Sequence, residues 1–391
     1  MKLVLLFYSD FGSRKGKGIE AYYAVKEAWK RGYLARVITR DKVKDELDFD
    51  MNLVERAVPL GNVIPRALVG LGKYVVKGLP SRLWGERLVD TFASRRLDEG
   101  DILYSTLRMV KSLTKAKQLG LITVLYAAQL HPQWNLQILE EEHRRWGIDI
   151  HSPSWSASMM SRTLESVNLA DYLITLSSFS KQTYVSRGYP EDRIFVNPLG
   201  VDLERFQPDF SKSYESLDYL FVGNISIIKG IQYLLEAWRQ LHLQDAKLLI
   251  CGAIHRGMRS LIESYRRGVT SIEYIGYVKD PAMYYRQSSI FILPSLSEGF
   301  PRVVLEAMAS GLPIIATTPA SEAVRDGEDG FVIPARDVEA LKEKMLYFYD
   351  NRDEIERMGR NARQQAERYT WDAYSLRTVK ILEDIWKQES R

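Results

Sequence analysis

The sequence predicts an α/β protein with two doubly wound parallel sheets, one in each half of the chain. Short apolar segments typical of buried strands alternate with longer amphipathic segments typical of helices, which indicates parallel sheets covered on both faces. A polar stretch at 203–217 interrupts the alternation, which then starts again. A length of 391 residues also exceeds what one ordinary core accommodates, so we expect two domains.

The predicted elements follow this alternation along the chain. In the first half we expect strands at 3–8, 35–39, 102–104, 122–127, 172–176 and 194–196, and helices at 19–30 and 107–117. In the second half we expect strands at 219–222, 248–250, 272–275, 290–293 and 314–316, and helices near 229–241, 256–267, 301–310 and 337–350. The domains would then be 1–202 and 218–370, joined by the linker 203–217, and a helix near 371–391 could pack back on the first domain. Ligands of such sheets bind at the carboxyl ends of the strands, so we expect the site in the cleft between the domains.

Composition excludes several classes of protein. Hydrophobic residues make up 46% of the chain and charged residues 27%, as in soluble globular proteins. The longest early apolar run, at 3–8, is too short for a signal peptide or a membrane span. The single cysteine, Cys251, excludes an intrachain disulfide or a cysteine metal cluster. We therefore expect a cytoplasmic protein.

Positive charge is concentrated in the first half of the chain. Its 200 residues contain 29 Lys and Arg against 22 Asp and Glu, which can attract a phosphate-bearing substrate or a membrane surface. The segment 64–96 mixes apolar residues and Trp84 with basic side chains, and its acidic residues are Glu86 and Asp90. It is a candidate for peripheral membrane contact or for binding an anionic acceptor. A pair of crossover helices with snorkelling basic residues would have the same composition. We expect no nucleic-acid partner.

The most informative segment is 290–317, with the sequence IFILPSLSEGFPRVVLEAMASGLPIIAT. A buried strand is followed by a polar turn with Ser295 and Glu298, then by a helix with Pro301 in its first turn and Gly311 at its end. The amides near the start of that helix would form an anion site, and they belong to Gly299, Phe300 and Arg302.

Glu298 and Glu306 lie eight positions apart in the same segment. Carboxylates suit sugar hydroxyl groups because each oxygen accepts hydrogen bonds. Beside an anion site a carboxylate would be repulsive unless it faces neutral hydroxyls, so we expect one end of the site to hold phosphate and the other a sugar. Taken alone, such a pair is more often a helix-capping Glu298 and a surface Glu306.

The whole stretch from Glu298 to Pro313 resembles the signature of the large retaining glycosyltransferase family with the GT-B fold, called family 4 or glycosyl transferases group 1. That fold consists of two Rossmann-like domains facing across a cleft. Four other segments carry the same resemblance in the same order: 125–147, 197–202, 221–238 and 275–278.

The resemblance implies roles for individual residues. His131, Lys229 and Glu298 would be catalytic: Lys229, expected to open a helix, would neutralise the diphosphate leaving group, while His131 and Glu298 would bind the transferred sugar. Glu306 would bind the nucleotide ribose, and Tyr277 and Val278 would lie beside the base. The remaining donor-binding residues would be Gly18, Gly223, Asn224, Ser295, Gly299, Phe300 and Arg302. The family commonly has an arginine where Asn224 stands, so this phosphate site has one cation fewer.

The resemblance also implies the overall reaction. The donor would be a nucleotide-sugar, the reaction would retain configuration without a metal or other cofactor, and the acceptor would be a lipid, a glycan or a small sugar. No histidine pair has ligand spacing, and Asp48-Phe-Asp50 only mimics a metal-binding D-x-D motif because no strand precedes it.

Other functions remain open from the residues alone. The segment Gly16-Lys-Gly18-Ile-Glu-Ala21 matches G-x-G-x-x-A, which would suggest an NAD(P)-dependent oxidoreductase. However, seven residues separate the first strand from Gly16, where a dinucleotide site requires a tight turn. A sugar-nucleotide epimerase or a phosphorylase could use the same two-domain architecture.

Overall fold

The computed structural model describes residues 1–11, 17–42, 48–58, 81–148, 157–266 and 270–390. Two parallel sheets, each covered by helices, confirm the predicted α/β fold class. The core is formed by apolar strand residues, for example Leu5 and Ile292, whose side chains are fully buried between the sheets and their helices.

The first domain contains a seven-stranded sheet. Its strands are Leu3–Phe11 (β1), Leu34–Lys42 (β2), Val54–Arg56 (β3), Ile102–Thr106 (β4), Ile122–Ala127 (β5), Tyr172–Thr175 (β6) and Ile194–Val196 (β7). Its helices are Lys17–Lys30 (α1), Ser81–Ser94 (α2), Val110–Gln118 (α3), Pro132–Trp146 (α4), Ala157–Leu169 (α5) and Ser178–Val185 (α6). The strand order is β3-β2-β1-β4-β5-β6-β7, with every pair parallel.

The second domain contains a six-stranded sheet. Its strands are Leu217–Val222 (β8), Ala246–Cys251 (β9), Ile272–Gly276 (β10), Ile290–Leu293 (β11), Ile314–Thr317 (β12) and Gly330–Ile333 (β13). Its helices are Ile231–Leu241 (α7), Arg259–Arg266 (α8), Ala282–Gln287 (α9), Arg302–Ala309 (α10), Val338–Asp350 (α11) and Asp353–Ala366 (α12), and the chain ends with Trp371–Glu389 (α13). The order β10-β9-β8-β11-β12-β13 repeats the winding of the first sheet.

Each sheet reverses its winding direction between two central strands. The reversal lies between β1 and β4 in the first sheet and between β8 and β11 in the second. At such a reversal the loops that follow the two strands leave in opposite directions and open a crevice, which is where ligands of these sheets bind. The topology therefore places the segments 223–230 and 294–301 on the two sides of one crevice.

The last helix returns to the first domain and packs on α1. Tyr23 stacks on Trp371 with 5.2 Å between ring centroids, and Lys26 pairs with Asp372 at 2.6 Å. Arg31 donates to Glu383 at 3.0 Å, farther along the helix. Since α13 follows the second domain in the chain, these contacts tie the two domains together.

Helix α2 carries the described part of the basic segment 64–96, and residues 64–80 lie outside the described ranges. Its two acidic residues are fully buried: Glu86 pairs with Arg108 at 2.6 Å, and Asp90 contacts Arg162. Trp84 is 51% exposed. No helix within the described ranges is long and apolar enough to cross a bilayer. Membrane contact through this segment stays a prediction.

Asp90 joins three helices. Its carboxylate accepts from the backbone amides of Lys111 and Ser112, both at 2.9 Å, and so caps α3 from outside, while Arg162 approaches it from α5. One buried carboxylate, whose charge is balanced by an arginine, therefore links α2, α3 and α5.

We expect Asp90→Asn to destabilise the first domain by about 3–5 kcal/mol, because the change leaves the Arg162 charge buried without its partner. The measurement is thermal and urea unfolding. Glu99→Gln is the matched control, since the ion pair of Glu99 with Lys2 is exposed. Equal unfolding midpoints for the two variants would contradict this assignment.

Candidate functional site

The site lies at the crevice of the second sheet, where β8 and β11 are neighbours with Tyr219 opposite Ile290. The segments that follow these strands bind each other directly: the amide of Leu296 donates to the carbonyl of Ile228 at 2.8 Å, and the Ser295 Oγ atom lies 3.1 Å from the same carbonyl oxygen. The two turns predicted to bind the donor therefore form one unit.

Lys229 and Glu298 form an ion pair at the centre of this unit. Their side chains are 22% and 12% exposed, so the pair is accessible from the cleft. Lys229 ends the short 3₁₀ turn Ile227–Lys229, and α7 begins only at Ile231, so the expectation that Lys229 opens a helix is wrong by two residues. The turn ends there because Gly230 has φ +69°.

Gly230 also allows the two turns to approach. A Cβ atom at this position would lie 1.8 Å from the carbonyl oxygen of Pro294, which is an impossible contact. The glycine therefore lets the Lys229 turn pack on the turn that carries Glu298.

Glu298 is held by a hydrogen bond and not by a helix-capping role. The Ser295 hydroxyl donates to its Oε1 atom at 2.7 Å. Helix α10 begins at Arg302 with Pro301 in the capping position and no side-chain cap, which places Pro301 one position earlier than the sequence suggested. The interpretation of Glu298 as an N-cap therefore does not apply, and its carboxylate faces Lys229.

The amides before α10 remain available for an anion. Within the described residues no hydrogen bond involves the amides of Gly299, Phe300 or Arg302. Phe300 is buried and packs beside Tyr369 with 6.2 Å between ring centroids. A Cβ at Gly299 would lie 2.0 Å from the carbonyl oxygen of Ala128, so this turn touches the first domain.

Glu306 lies on α10 and is partly buried. The hydroxyl of Tyr285, whose side chain is fully buried, donates to its Oε2 atom at 3.1 Å. Burial raises the pKa of Glu306, and the positive charge of Arg302 and the bond from Tyr285 oppose this effect in part. Glu306 is therefore an oriented carboxylate and not an ordinary surface glutamate.

Four further predicted residues lie at the same edge of the second sheet. Gly223 follows β8, and an ideal Cβ there would lie 3.9 Å from the Lys229 Cε atom. Asn224 comes next and is exposed. Tyr277 follows β10 and is 77% exposed, while the neighbouring Val278 packs partly on the core. The exposed tyrosine ring is available for a planar group.

His131 lies apart from these residues. Its Nδ1 atom accepts from the amide of Gln133 at 3.3 Å and so caps α4, and its ring packs against Tyr184 at 5.2 Å. Burial, and secondly the charge of Arg187, lower the pKa of His131 to about 4, so the ring is neutral at pH 7. The ring lines a cavity of 430 Å³ together with Arg187 and Tyr189. In the described part of the chain no contact joins it to Lys229 or Glu298.

Gly18 and the D-x-D-like segment Asp48-Phe-Asp50 lie in the first domain. Gly18 is buried in the first turn of α1, and the glycine loop at 12–16 lies outside the described residues. Asp50 accepts from the amide of Asn52 at 2.9 Å and caps a 3₁₀ turn, which is a structural role. Among the described residues no three His, Cys, Asp or Glu side chains form a group that could hold a metal ion.

Sequence reasoning missed the residues of the first domain that contact the two turns. Ser297, next to Glu298, donates to Asn135 of α4. Farther along α4, the buried Glu142 accepts from Arg336 at 2.7 Å. Glu142 is the last of three consecutive glutamates, and only the orientation of α4 against the second domain distinguishes it from its neighbours.

Comparisons with known proteins find glycosyltransferases similar in sequence to this chain. Residues 216–351 match the family described as glycosyl transferases group 1. A putative colanic acid biosynthesis glycosyltransferase, WcaL of Salmonella typhimurium, is 27% identical over 256 residues, which are 61% of this chain and 63% of that protein. The alignment therefore spans about three fifths of the length of this relative.

Solved structures match nearly the whole chain. Sucrose-phosphate synthase from Thermosynechococcus elongatus has a TM-score of 0.69 at 19% identity and covers 99% of this chain and 100% of its own. Anabaena HepE in complex with UDP-glucose has a TM-score of 0.67 at 16% identity and covers 97% and 99%. The chain therefore has the GT-B fold, and residues 216–351, which make up most of its second domain, match the group 1 glycosyltransferase family.

Proposed function

We propose that this protein is a retaining glycosyltransferase that moves a sugar from a nucleotide-sugar donor to an acceptor without a metal ion. The observation that carries the proposal is the contact of Lys229 with Glu298 at the crevice of the second sheet. An ammonium beside a carboxylate suits a donor that presents a diphosphate next to sugar hydroxyl groups.

The donor would lie along the edge of the second sheet. Its ribose would bind Glu306, its base would lie beside Tyr277, and its diphosphate would lie between Lys229 and the amides that precede α10. Glu298 would accept hydrogen bonds from the transferred sugar. The Ser295 hydroxyl supports this role because it fixes one carboxylate oxygen and leaves the other for the sugar.

Charge develops on the diphosphate as the glycosidic bond breaks. Lys229 and the helix amides would stabilise that charge, which is the main way such a site can lower the barrier. We infer attack by the acceptor on the face that the diphosphate leaves, with a phosphate oxygen taking the acceptor proton. Contact between the Gly299 turn and the first domain would exclude water from the reacting centre.

The resemblance implies that His131 contacts the transferred sugar, and the structure supports a role for it beside the sugar site. Its ring caps α4 in the structure, and the adjacent backbone at Ala128 touches Gly299. We propose that His131 contributes by fixing this loop beside the sugar site, and that direct contact with the sugar requires a change of its side-chain rotamer. The comparisons do not favour the NAD(P)-dependent alternative.

A ligand screen tests the proposal. We expect a UDP-, GDP- or ADP-sugar to raise the midpoint of thermal unfolding in the presence of EDTA, because a ligand that binds only the folded state stabilises it by mass action. The matched controls are NADH and NADPH. Stabilisation by a nicotinamide cofactor, with none by any nucleotide-sugar, would contradict the proposed function.

We expect Lys229→Ala to lower turnover by about tenfold to over a hundredfold, since a charge-assisted bond to phosphate contributes roughly 1.5–3 kcal/mol. The measurement is steady-state transfer or donor hydrolysis with the sugar found in the screen. Lys247→Ala is the control, because Lys247 forms only an exposed pair with Glu273. Wild-type turnover in a folded Lys229→Ala protein would reject the role of Lys229.

We expect Glu306→Gln to weaken nucleotide binding by about tenfold or more, because the charged acceptor for the ribose is lost. Calorimetry checks this, with the exposed Glu263→Gln as control. Burial raises the pKa of Glu306, so the wild type should lose affinity on acidification at a higher pH than an ordinary glutamate allows. In Glu306→Gln that loss should disappear. A pH dependence shared by both proteins would assign it to another group.

A further inference from the structure

We propose that helix α4 of the first domain positions both donor-binding turns of the second domain when the cleft closes, and that Asn135 and Glu142 are the positioning residues. The inference rests on the proposed function, because it concerns how Lys229 and Glu298 are held for transfer. The two residues lie seven positions apart, on one face of α4. Asn135 contacts Ser297 in the turn that carries Glu298, and Glu142 contacts Gln232, which supports the turn that carries Lys229.

Glu142 is the stronger of the two contacts. Its carboxylate is fully buried and accepts from three side chains of the second domain: Gln232 at 3.0 Å, Tyr233 at 2.8 Å and Arg336 at 2.7 Å. Arg336 also reaches the preceding Glu141 at 2.8 Å. A buried carboxylate with a cation and two further donors is a fully satisfied group, so it fixes one relative position of the domains.

Gln232 connects this contact to Lys229. The same Nε2 group that donates to Glu142 also donates to the carbonyl of Ile227 at 2.9 Å. Ile227 begins the 3₁₀ turn that ends at Lys229. The carboxylate sets the orientation of the Gln232 amide, because the reversed amide would place its oxygen against Glu142 and against the carbonyl. Loss of Glu142 therefore releases the support of the lysine turn.

Asn135 acts in the same way on the other turn. Its Oδ1 atom accepts from the hydroxyl of Ser297, and its Nδ2 group donates to the carbonyl of Leu130 at 3.3 Å. Ser297 directly precedes Glu298. One face of α4 thus contacts both turns. Glu142 supports the turn that carries Lys229, and Asn135, two helical turns earlier, holds the turn that carries Glu298.

The test compares three single variants. Glu142→Gln keeps an acceptor but removes the charge that pairs with Arg336, and Gln232→Met removes the link to Ile227 while leaving that ion pair. Glu140→Gln is the matched control, because Glu140 is exposed on the same helix. We expect turnover to fall by about tenfold or more in the first two and to match the wild type in the control.

The pattern of effects distinguishes a role of Glu142 in positioning the turns from a role only in stabilising the interface between the domains. We expect nucleotide affinity to change much less than turnover, because most donor contacts lie in the second domain. The double variant should be no slower than the slower single variant, since both changes break one linkage. If Gln232→Met has wild-type turnover while Glu142→Gln is slow, Glu142 only stabilises the interface between the domains and the proposed linkage through Gln232 is wrong.

Hydrogen exchange gives a readout that does not depend on activity. We expect backbone amides of 227–233 and 295–299 to exchange faster in Glu142→Gln than in Glu140→Gln, with α8 unchanged in both. Asn135→Ala should affect 295–299 only. If the protein transfers no sugar, the proposed function fails and exchange still tests the positioning role. Equal exchange in Glu142→Gln and its control would overturn the inference.

Discussion

The arrangement of this molecule depends on bringing one ammonium and one carboxylate together where the winding of a parallel sheet reverses. Lys229 and Glu298 are far apart in the chain, and they meet because β8 and β11 are neighbours. Gly230 permits the close approach of the two turns, and Ser295 orients the carboxylate. Partial exposure leaves both groups within reach of a ligand, so in the proposed reaction the ammonium would bind the phosphate and the carboxylate would bind the sugar.

The sequence was sufficient for the fold and for much of this pair. Strand-length apolar runs and helical periods are local signals, and they placed the strands before and after both turns within a few residues. The strands β3 and β13 were not predicted, since Val54–Arg56 is very short and Gly330–Ile333 begins with a glycine. Strand β8 begins at Leu217, inside the predicted linker. The sequence does not predict this start, because Leu217 is recognised as a strand residue only by its pairing with β9.

Contacts between the domains could not be predicted, because they depend on how two separately folded surfaces meet. Glu142 differs from Glu140 by which side of α4 faces the second domain, and charge patterning carries no information about that. The same holds for Arg336, which lies in a turn with φ +71°. His131 illustrates the reverse case: a motif pointed to the ring, whereas the fold uses its nitrogen to cap a helix.

Polar contacts suit a cleft that would have to reopen after each round of the proposed reaction. The attraction within a buried ion pair is largely offset by the loss of water from both charges, so Glu142 and Arg336 fix a geometry without holding the domains shut strongly. A ligand that touches both domains can then shift the balance toward closure by its differential binding. Because α4 contacts the supports of both turns across the cleft, closure in the proposed reaction would position the cation and the carboxylate as water is excluded from the site.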